Sequence, residues 1–325
     1  MIKAGLAQIA PVWLDKGATL SRVEEMIVEA GEAGCDLLVF GEGLLPGYPF
    51  WIGLTDGAAF DSKVQKELHA HYLRNSVRPG AGDLERICGL LKKYGMACYL
   101  GMIERAEDRG EHSLYCALVF IDAAGIIKSV HRKLQPTYEE RLTWAPGDGH
   151  GLRVHPLESF RVGGLNCWEN WMPLVRSSLY AQGENLHVAV WPGSDYNTRD
   201  ITRFVARESR SYVISVSGLM RVTDFPKGTP HLPEILNKAP GILANGGSCV
   251  AGPDGEWILE PVIEKEGLFT VDLDINRVLE ERQNFDPSGH YSRPDVTRLM
   301  VNRERQSVVH FSEEKWNPVS ADNED

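Results

Sequence analysis

Phe160-Arg161-Val162-Gly163-Gly164-Leu165-Asn166-Cys167-Trp168-Glu169-Asn170-Trp171-Met172-Pro173 is the stretch from which the fold can be read. The run from Phe160 has the short apolar character of a buried strand and stops at a cysteine. A Trp/Glu/Asn cluster follows. Pro173 then suits the first turn of a helix, where its missing N–H removes no hydrogen bond. A thiol at such a strand-to-helix turn projects from the carboxyl edge of a sheet, and the N–H groups after it face the same space. The plainer alternative is a buried structural cysteine, the commonest fate of a free thiol.

Outward from this stretch the same alternation recurs. Residues 2–10, 36–40, 96–103, 114–122 and 126–131 read as strands on the amino-terminal side. Helices are predicted over 19–31, 62–74 and 83–94, and Leu20, Val23, Ile27 and Ala30 share one face of the first. On the carboxyl side, 160–166, 186–191, 212–218, 248–251, 257–259 and 269–274 read as strands. Helices are predicted over 173–182, 200–211 and 275–282, and Pro253-Asp254-Gly255 reads as a hairpin turn. Strands that first alternate with helices and later pair as hairpins indicate an α/β protein with mixed sheets. No low-complexity linker or repeat divides the chain, so residues 1–305 read as one domain and 306–325 as a C-terminal tail, polar and acidic over 318–325, that is expected to be partly disordered or in subunit contacts.

The composition narrows the function. The chain has 325 residues, 43% of them apolar, which suffices for a large core. A net charge of −11 argues against nucleic acid or an anionic membrane surface as partner. No apolar run approaches the roughly eighteen residues that span a bilayer, and the first ten residues lack the apolar core of a secretion signal. Cys35, Cys88, Cys98, Cys116, Cys167 and Cys249 are scattered through apolar runs without a CxxC, so no zinc site and no thioredoxin-like motif is expected. A reduced, cytoplasmic protein is the expectation.

Two further segments carry chemistry. In Gly41-Glu42-Gly43-Leu44-Leu45-Pro46-Gly47-Tyr48-Pro49, Glu42 directly follows a buried strand. A carboxylate held there between apolar walls has a raised pKa and can act as a general base, whereas in an open loop it is merely solvated. In His131-Arg132-Lys133-Leu134-Gln135-Pro136-Thr137-Tyr138-Glu139-Glu140-Arg141, Lys133 can stand as a fixed cation beside developing negative charge. Glu140, seven positions on, can hold Lys133 or the substrate. The ordinary meaning of so charged a run is a solvated loop.

Taken together these segments resemble the nitrilase superfamily, and within it the true nitrilase branch. The motifs that carry the resemblance are Gly-Tyr-Pro after Glu42, His131-Arg132-Lys133-Leu134 with Pro136-Thr137 and Glu140-Arg141, and Cys167-Trp168-Glu169-Asn170. His187-Val188-Ala189-Val190-Trp191-Pro192 and the run from Phe285 to Asp295 add to it. The resemblance implies a four-layer αββα sandwich with two mixed sheets and a catalytic triad of Glu42, Lys133 and Cys167, with Glu140 as a fourth site residue. It also implies hydrolysis of an organic nitrile to acid and ammonia through a thioimidate and a thioester, with no metal or other cofactor. A homodimer or larger homo-oligomer is expected. Trp168, Tyr48, Trp191 and Trp51, together with Trp171, are candidates to line an apolar substrate pocket. Amidase and carbamoylase branches typically carry Cys-Tyr-Asp where this chain has Cys-Trp-Glu. An amidase, a carbamoylase, a cyanide-hydrating enzyme or a silent scaffold on the same fold are the rival expectations. His69 and His71 are two apart on a helix and so face different ways, which sets aside a metal site there.

Overall fold

The computed structural model describes residues 1–309. In chain order the strands and helices are β1 (Ile2–Gln8), α1 (Lys16–Glu32), β2 (Leu37–Phe40), α2 (Trp51–Leu54), α3 (Lys63–Asn75), α4 (Glu85–Tyr94), β3 (Ala97–Arg105), β4 (Leu114–Ile121), β5 (Ile127–Arg132), β6 (His155–Leu157) and β7 (Phe160–Asn166). They continue as α5 (Pro173–Tyr180), β8 (Leu186–Trp191), α6 (Asp195–Ser209), β9 (Tyr212–Ser217), β10 (Leu219–Arg221), α7 (Leu232–Lys238), β11 (Ile242–Ala251), β12 (Trp257–Ile263), β13 (Gly267–Leu273) and α8 (Ile275–Glu281).

The strands form two mixed sheets. The first has the order β13-β1-β2-β3-β4-β5, parallel through β1, β2 and β3 and antiparallel elsewhere. The second runs β10-β11-β9-β8-β7-β6 with β12 beside β11, and is parallel only through β7, β8 and β9. Strand alternation decides what faces what. Leu186, Val188 and Val190 of β8 point into the layer between the sheets, where they meet Leu37 and Val39 of β2 and Ile214 and Val216 of β9. Leu38 and Phe40 of β2 point the other way, against Val23 and Ile27 of α1 and Ile87 and Leu91 of α4. Ala189 and Trp191 face Ile201 and Val205 of α6. The layers therefore stack helix, sheet, sheet, helix, as expected. Each buried aliphatic side chain contributes on the order of 1.5–3 kcal/mol by leaving water.

The differences from the expected elements have local causes. Strand β11 starts six residues earlier than the predicted 248 because Gly246 and Gly247, with φ of +85° and +101°, bulge without ending it. A Cβ on them would lie 2.5 Å from the Gln8 amide and from the Asp195 backbone, so only glycine lets the strand pass there. Strand β12 runs on through Pro261 because it pairs with β11 alone, and an edge strand tolerates a missing N–H. Helix α6 begins five residues early. Its first turn has no apolar stripe and is held instead by Thr198 Oγ1 donating to Gly247 O at 2.7 Å and by Asn245 accepting from Asp195 N at 3.1 Å. The segment from Gly228 leads into α7, with a proline in its first turn. The C-terminal tail lies outside the described residues from 310 on, but its first residue is docked: Gln306 N donates to Asp148 Oδ2 at 3.0 Å.

Candidate active site

Three chain reversals at the carboxyl ends of β2, β5 and β7 deliver the three predicted residues to one point. Glu42 lies two residues past β2, and its N–H donates across to Trp191 O on the second sheet at 3.2 Å. Lys133 directly follows β5, where its N–H still pairs with Cys116 O on β4 at 2.8 Å. Cys167 directly follows β7 with φ of +49°, a left-handed conformation that costs a non-glycine residue on the order of 1–3 kcal/mol. The left-handed residue turns the chain into the 3-10 turn Cys167–Trp171, in which Cys167 is buried.

The side chains converge. Lys133 Nζ lies 2.9 Å from Glu42 Oε1 and 2.7 Å from Glu140 Oε2. A carboxylate oxygen of Glu42, one of Glu140 and Cys167 Sγ all lie within 4.8 Å of one another. All four residues are buried. Glu140 is set by its own turn: Thr137 N donates to Glu140 Oε2 at 2.6 Å, and Tyr48 Oη donates to Glu140 Oε1 at 2.9 Å. One N–H of Lys133 donates to Glu140 Oε2 and the ammonium pairs with Glu42 Oε1, which leaves at least one N–H for a substrate atom. Glu42 Oε2 is buried without a partner, so its lone pairs are free to accept a proton. Such a donor set would also suit a cation, and the Lys133 ammonium occupies that role between the two carboxylates.

Burial pushes the Glu42 carboxyl up to about 7, with Lys133 pulling it back and Glu140 pushing it further. Burial, reinforced by Glu42, holds the Cys167 thiol well above its usual range; Lys133 and the Trp168 N–H act the other way. Burial disfavours the Lys133 charge, but the acidic groups around it, Cys167 once ionised and the Glu42 and Glu140 carboxylates, hold its pKa well above the usual range. The resting arrangement is thus a thiol beside a carboxylate base, with one permanent cation.

A further carboxylate ties the lysine and cysteine segments together. Glu169 Oε1 accepts from Leu134 N at 2.6 Å and Oε2 from Asn166 N at 2.9 Å, while His131 Nε2 lies 3.0 Å from Oε2. Glu169 remains ionised because, although burial opposes its charge, His131 and these N–H groups favour it. Its role was not assigned from sequence, yet its position three residues after Asn166 is the spacing of a capping box. Cys116, whose Sγ donates to Glu42 Oε1 at 3.5 Å, and Trp144, whose ring lies 5.6 Å from Lys133 Nζ, were also missed. Each meets its partner only through sheet pairing or a loop return.

The aromatic candidates divide. Tyr48 is in the site through Glu140. Trp168 is 46% exposed beside Cys167, with Trp171 6.2 Å away in a tilted pair. Trp191 packs behind Cys167 against α6. Trp51 is buried against Trp13 and Tyr72 and lines a cavity of about 320 Å3 with His69, Leu142 and Thr143.

A family model described as carbon-nitrogen hydrolase matches residues 3–283. The chain belongs to the carbon-nitrogen hydrolase family. Over 311 residues it is 36% identical to a protein called nitrilase 2 from an unknown prokaryotic organism, with 95% of each chain covered. It is 33% identical to nitrilase 2 of Arabidopsis thaliana over 96% of this chain and 91% of that one. Its fold is similar to that of a carbon-nitrogen hydrolase from Helicobacter pylori G27, with a TM-score of 0.68, 19% identity, and coverage of 92% and 99% of the two chains. Within this family fold, the strand-end set of Glu42, Lys133 and Cys167 is the place where a covalent hydrolysis can be run.

Proposed function

We propose that the chain is a nitrilase that converts an organic nitrile and two waters into a carboxylic acid and ammonia. The observation that carries this is the convergence of a buried thiol, an unpartnered carboxylate oxygen and a fixed ammonium, in a chain 36% and 33% identical to two proteins called nitrilase 2. A nitrile carbon is a weak electrophile and needs a thiolate-grade nucleophile. Glu42 takes the Cys167 proton as Sγ attacks the nitrile carbon, and the proton passes to the nitrile nitrogen, giving a thioimidate. Lys133 and the Trp168 N–H stabilise the charge that develops. Glu42 then draws a proton from a water that adds to the thioimidate. The C–N bond breaks, ammonia departs, and a thioester remains. A second water, activated in the same way, breaks the C–S bond and frees the acid and the thiol. A cavity of about 20 Å3 against Glu42 and Tyr48 has room for one such water. Glu140 holds Lys133 in place. Trp168 and Tyr48 line the substrate's approach, with Trp191 and Trp51 in the wall behind.

The same proposal extends to the rest of the molecule. Residues 1–305 act as one catalytic domain, and the protein works in the cytoplasm as a homodimer or larger homo-oligomer. The six free cysteines support a reducing compartment, and among the described residues no helix is long and apolar enough to cross a membrane. The test is ammonia release from an aliphatic nitrile, an aliphatic dinitrile, an arylacetonitrile, benzonitrile, cyanide and the matching amides, with acid and amide resolved. Acid from a nitrile, absent in Cys167→Ala, is the expected result. Turnover of amides alone would move the activity to amide hydrolysis, and silence throughout would leave a scaffold.

A further inference from the structure

We propose that Glu184, His187 and Asn170 form a buried positioning chain that fixes the Cys167–Trp168 peptide and thereby aims the Trp168 N–H at the nucleophile. The inference rests on Cys167 being the nucleophile, not on which bond it attacks. Asn170 Nδ2 donates to Cys167 O at 2.8 Å and lies 3.4 Å from Leu165 O. Two carbonyl acceptors on that side leave the amide only one orientation, so Asn170 Oδ1 faces His187 Nε2 at 2.7 Å and accepts from it. His187 Nδ1 lies 2.9 Å from Glu184 Oε1. The chain therefore needs one proton between His187 and Glu184, whichever of them carries it. The Asn170 backbone is held as well: Arg176 Nη1 donates to Asn170 O at 2.7 Å, and the same guanidinium is bidentate to Glu208 at 2.7 and 2.9 Å.

None of the three side chains reaches the reacting atoms, and all three have 0% exposure. Burying a carboxylate and an imidazole is costly, so their presence calls for a role. The chain has been given room, too. A Cβ on Gly163 of β7 would lie 2.1 Å from Glu184 Oε1, so the strand carrying the nucleophile has glycine where the carboxylate sits. The strand alternation that sends Val188 inward sends His187 out toward Asn170.

The effect on the site follows from peptide geometry. Cys167 O and the Trp168 N–H belong to one planar trans peptide and point in opposite directions. At Cys167 the left-handed φ of +49° strains this peptide, and an unheld strained peptide relaxes by rotating. Asn170 grips the oxygen from behind, so the N–H on the far side stays turned toward Cys167 Sγ, where it lowers the thiol's pKa. Glu184 and His187 keep Asn170 from swinging away.

The test follows Cys167 itself. The full-length protein and its Asn170→Asp, His187→Leu, His187→Gln and Glu184→Gln variants are alkylated with iodoacetamide across a pH series. Modification at Cys167 is read by mass spectrometry, alongside Tm and the kcat and KM for a nitrile turned over by the wild type. Asn170→Asp keeps the shape but removes the donor to Cys167 O. It and His187→Leu are expected to move the Cys167 alkylation profile to higher pH, slowing the reaction at pH 7 about tenfold. They are expected to lower kcat about a hundredfold with KM little changed, the size of effect that follows loss of one oxyanion donor. His187→Gln, whose amide nitrogen can stand in for Nε2, should recover most of both, and Glu184→Gln should fall between. A folded Asn170→Asp with wild-type alkylation and kcat overturns the proposal even if His187→Leu fails to fold. So does a His187→Gln variant that is as impaired as His187→Leu. If the wild type releases no acid from any nitrile yet the alkylation profiles shift as described, the positioning chain stands and the nitrilase assignment falls.

Discussion

The layer between the sheets and the cluster at the strand ends are equally dry and differently made. Between the sheets, Val39, Leu186, Val188 and Ile214 are fully buried among aliphatic and aromatic side chains. At the strand ends, Glu42, Lys133, Glu140 and Cys167 are buried to nearly the same degree, with charges facing one another at under 3 Å. Burial stabilises the first region, while in the second it raises the free energy of every ionised group. The first supplies the stability that lets the second remain dry, and dryness is what moves Glu42 and Cys167 away from their solution behaviour.

The sharpest way to break this contrast is Lys133→Met. It removes the only cation between two carboxylates, and loss of one partner from a buried ion group costs about 3–5 kcal/mol. Turnover should vanish, and chemical denaturation at pH 8 should show the drop. A variant of unchanged stability would mean that the carboxylates are not jointly ionised around the lysine. Leu186→Ala tests the other region. A buried leucine cut to alanine costs about 2–5 kcal/mol, but kcat per folded molecule should stay within a factor of two or so, since the cavity forms away from the reacting atoms. A large fall in kcat without loss of stability would show that the two regions are not separable. The mildest test is pH. Glu42 must be ionised to take the thiol proton and burial raises it to about 7, so kcat/KM should fall as pH drops through about 7 and level off above it. An acid limb near the ordinary carboxylate value of 4.5 would place Glu42 in contact with water and remove the basis of the contrast.

What was legible in the sequence follows the same division. The short apolar runs of β2 and β8 and the helical stripe of α1 announce which segments pack, because a strand buried on both faces is apolar throughout and a helix packed on one side is apolar along one stripe. Glu42, Lys133 and Cys167 are legible because each lies within two residues of a strand's carboxyl end, and strand ends are where an α/β sheet presents side chains to a cleft. Cys116 and Trp144 were not, since what matters is their distance from Glu42 and Lys133, which only the completed sheet brings about. His187 reads as one more residue of a buried strand until Asn170, seventeen positions earlier, is found against its ring. The bulged glycines of β11 look like a break because sequence shows the loss of pattern but not the Gln8 amide that fills the space.

The pairing of β13 with β1, from Ile2 opposite Leu273 to Gln8 opposite Gly267, has a consequence in time. Strand β1 leaves the ribosome long before β13, the strand that covers its outer edge. Throughout synthesis of the intervening residues, Glu42, Lys133, Glu140 and Cys167 among them, β1 presents a row of unsatisfied backbone groups, the kind of edge that invites pairing with a second nascent chain. Pairing of β1 with β13 therefore comes after the intervening residues are made, and chains truncated before Gly267 should aggregate rather than act as partial enzymes.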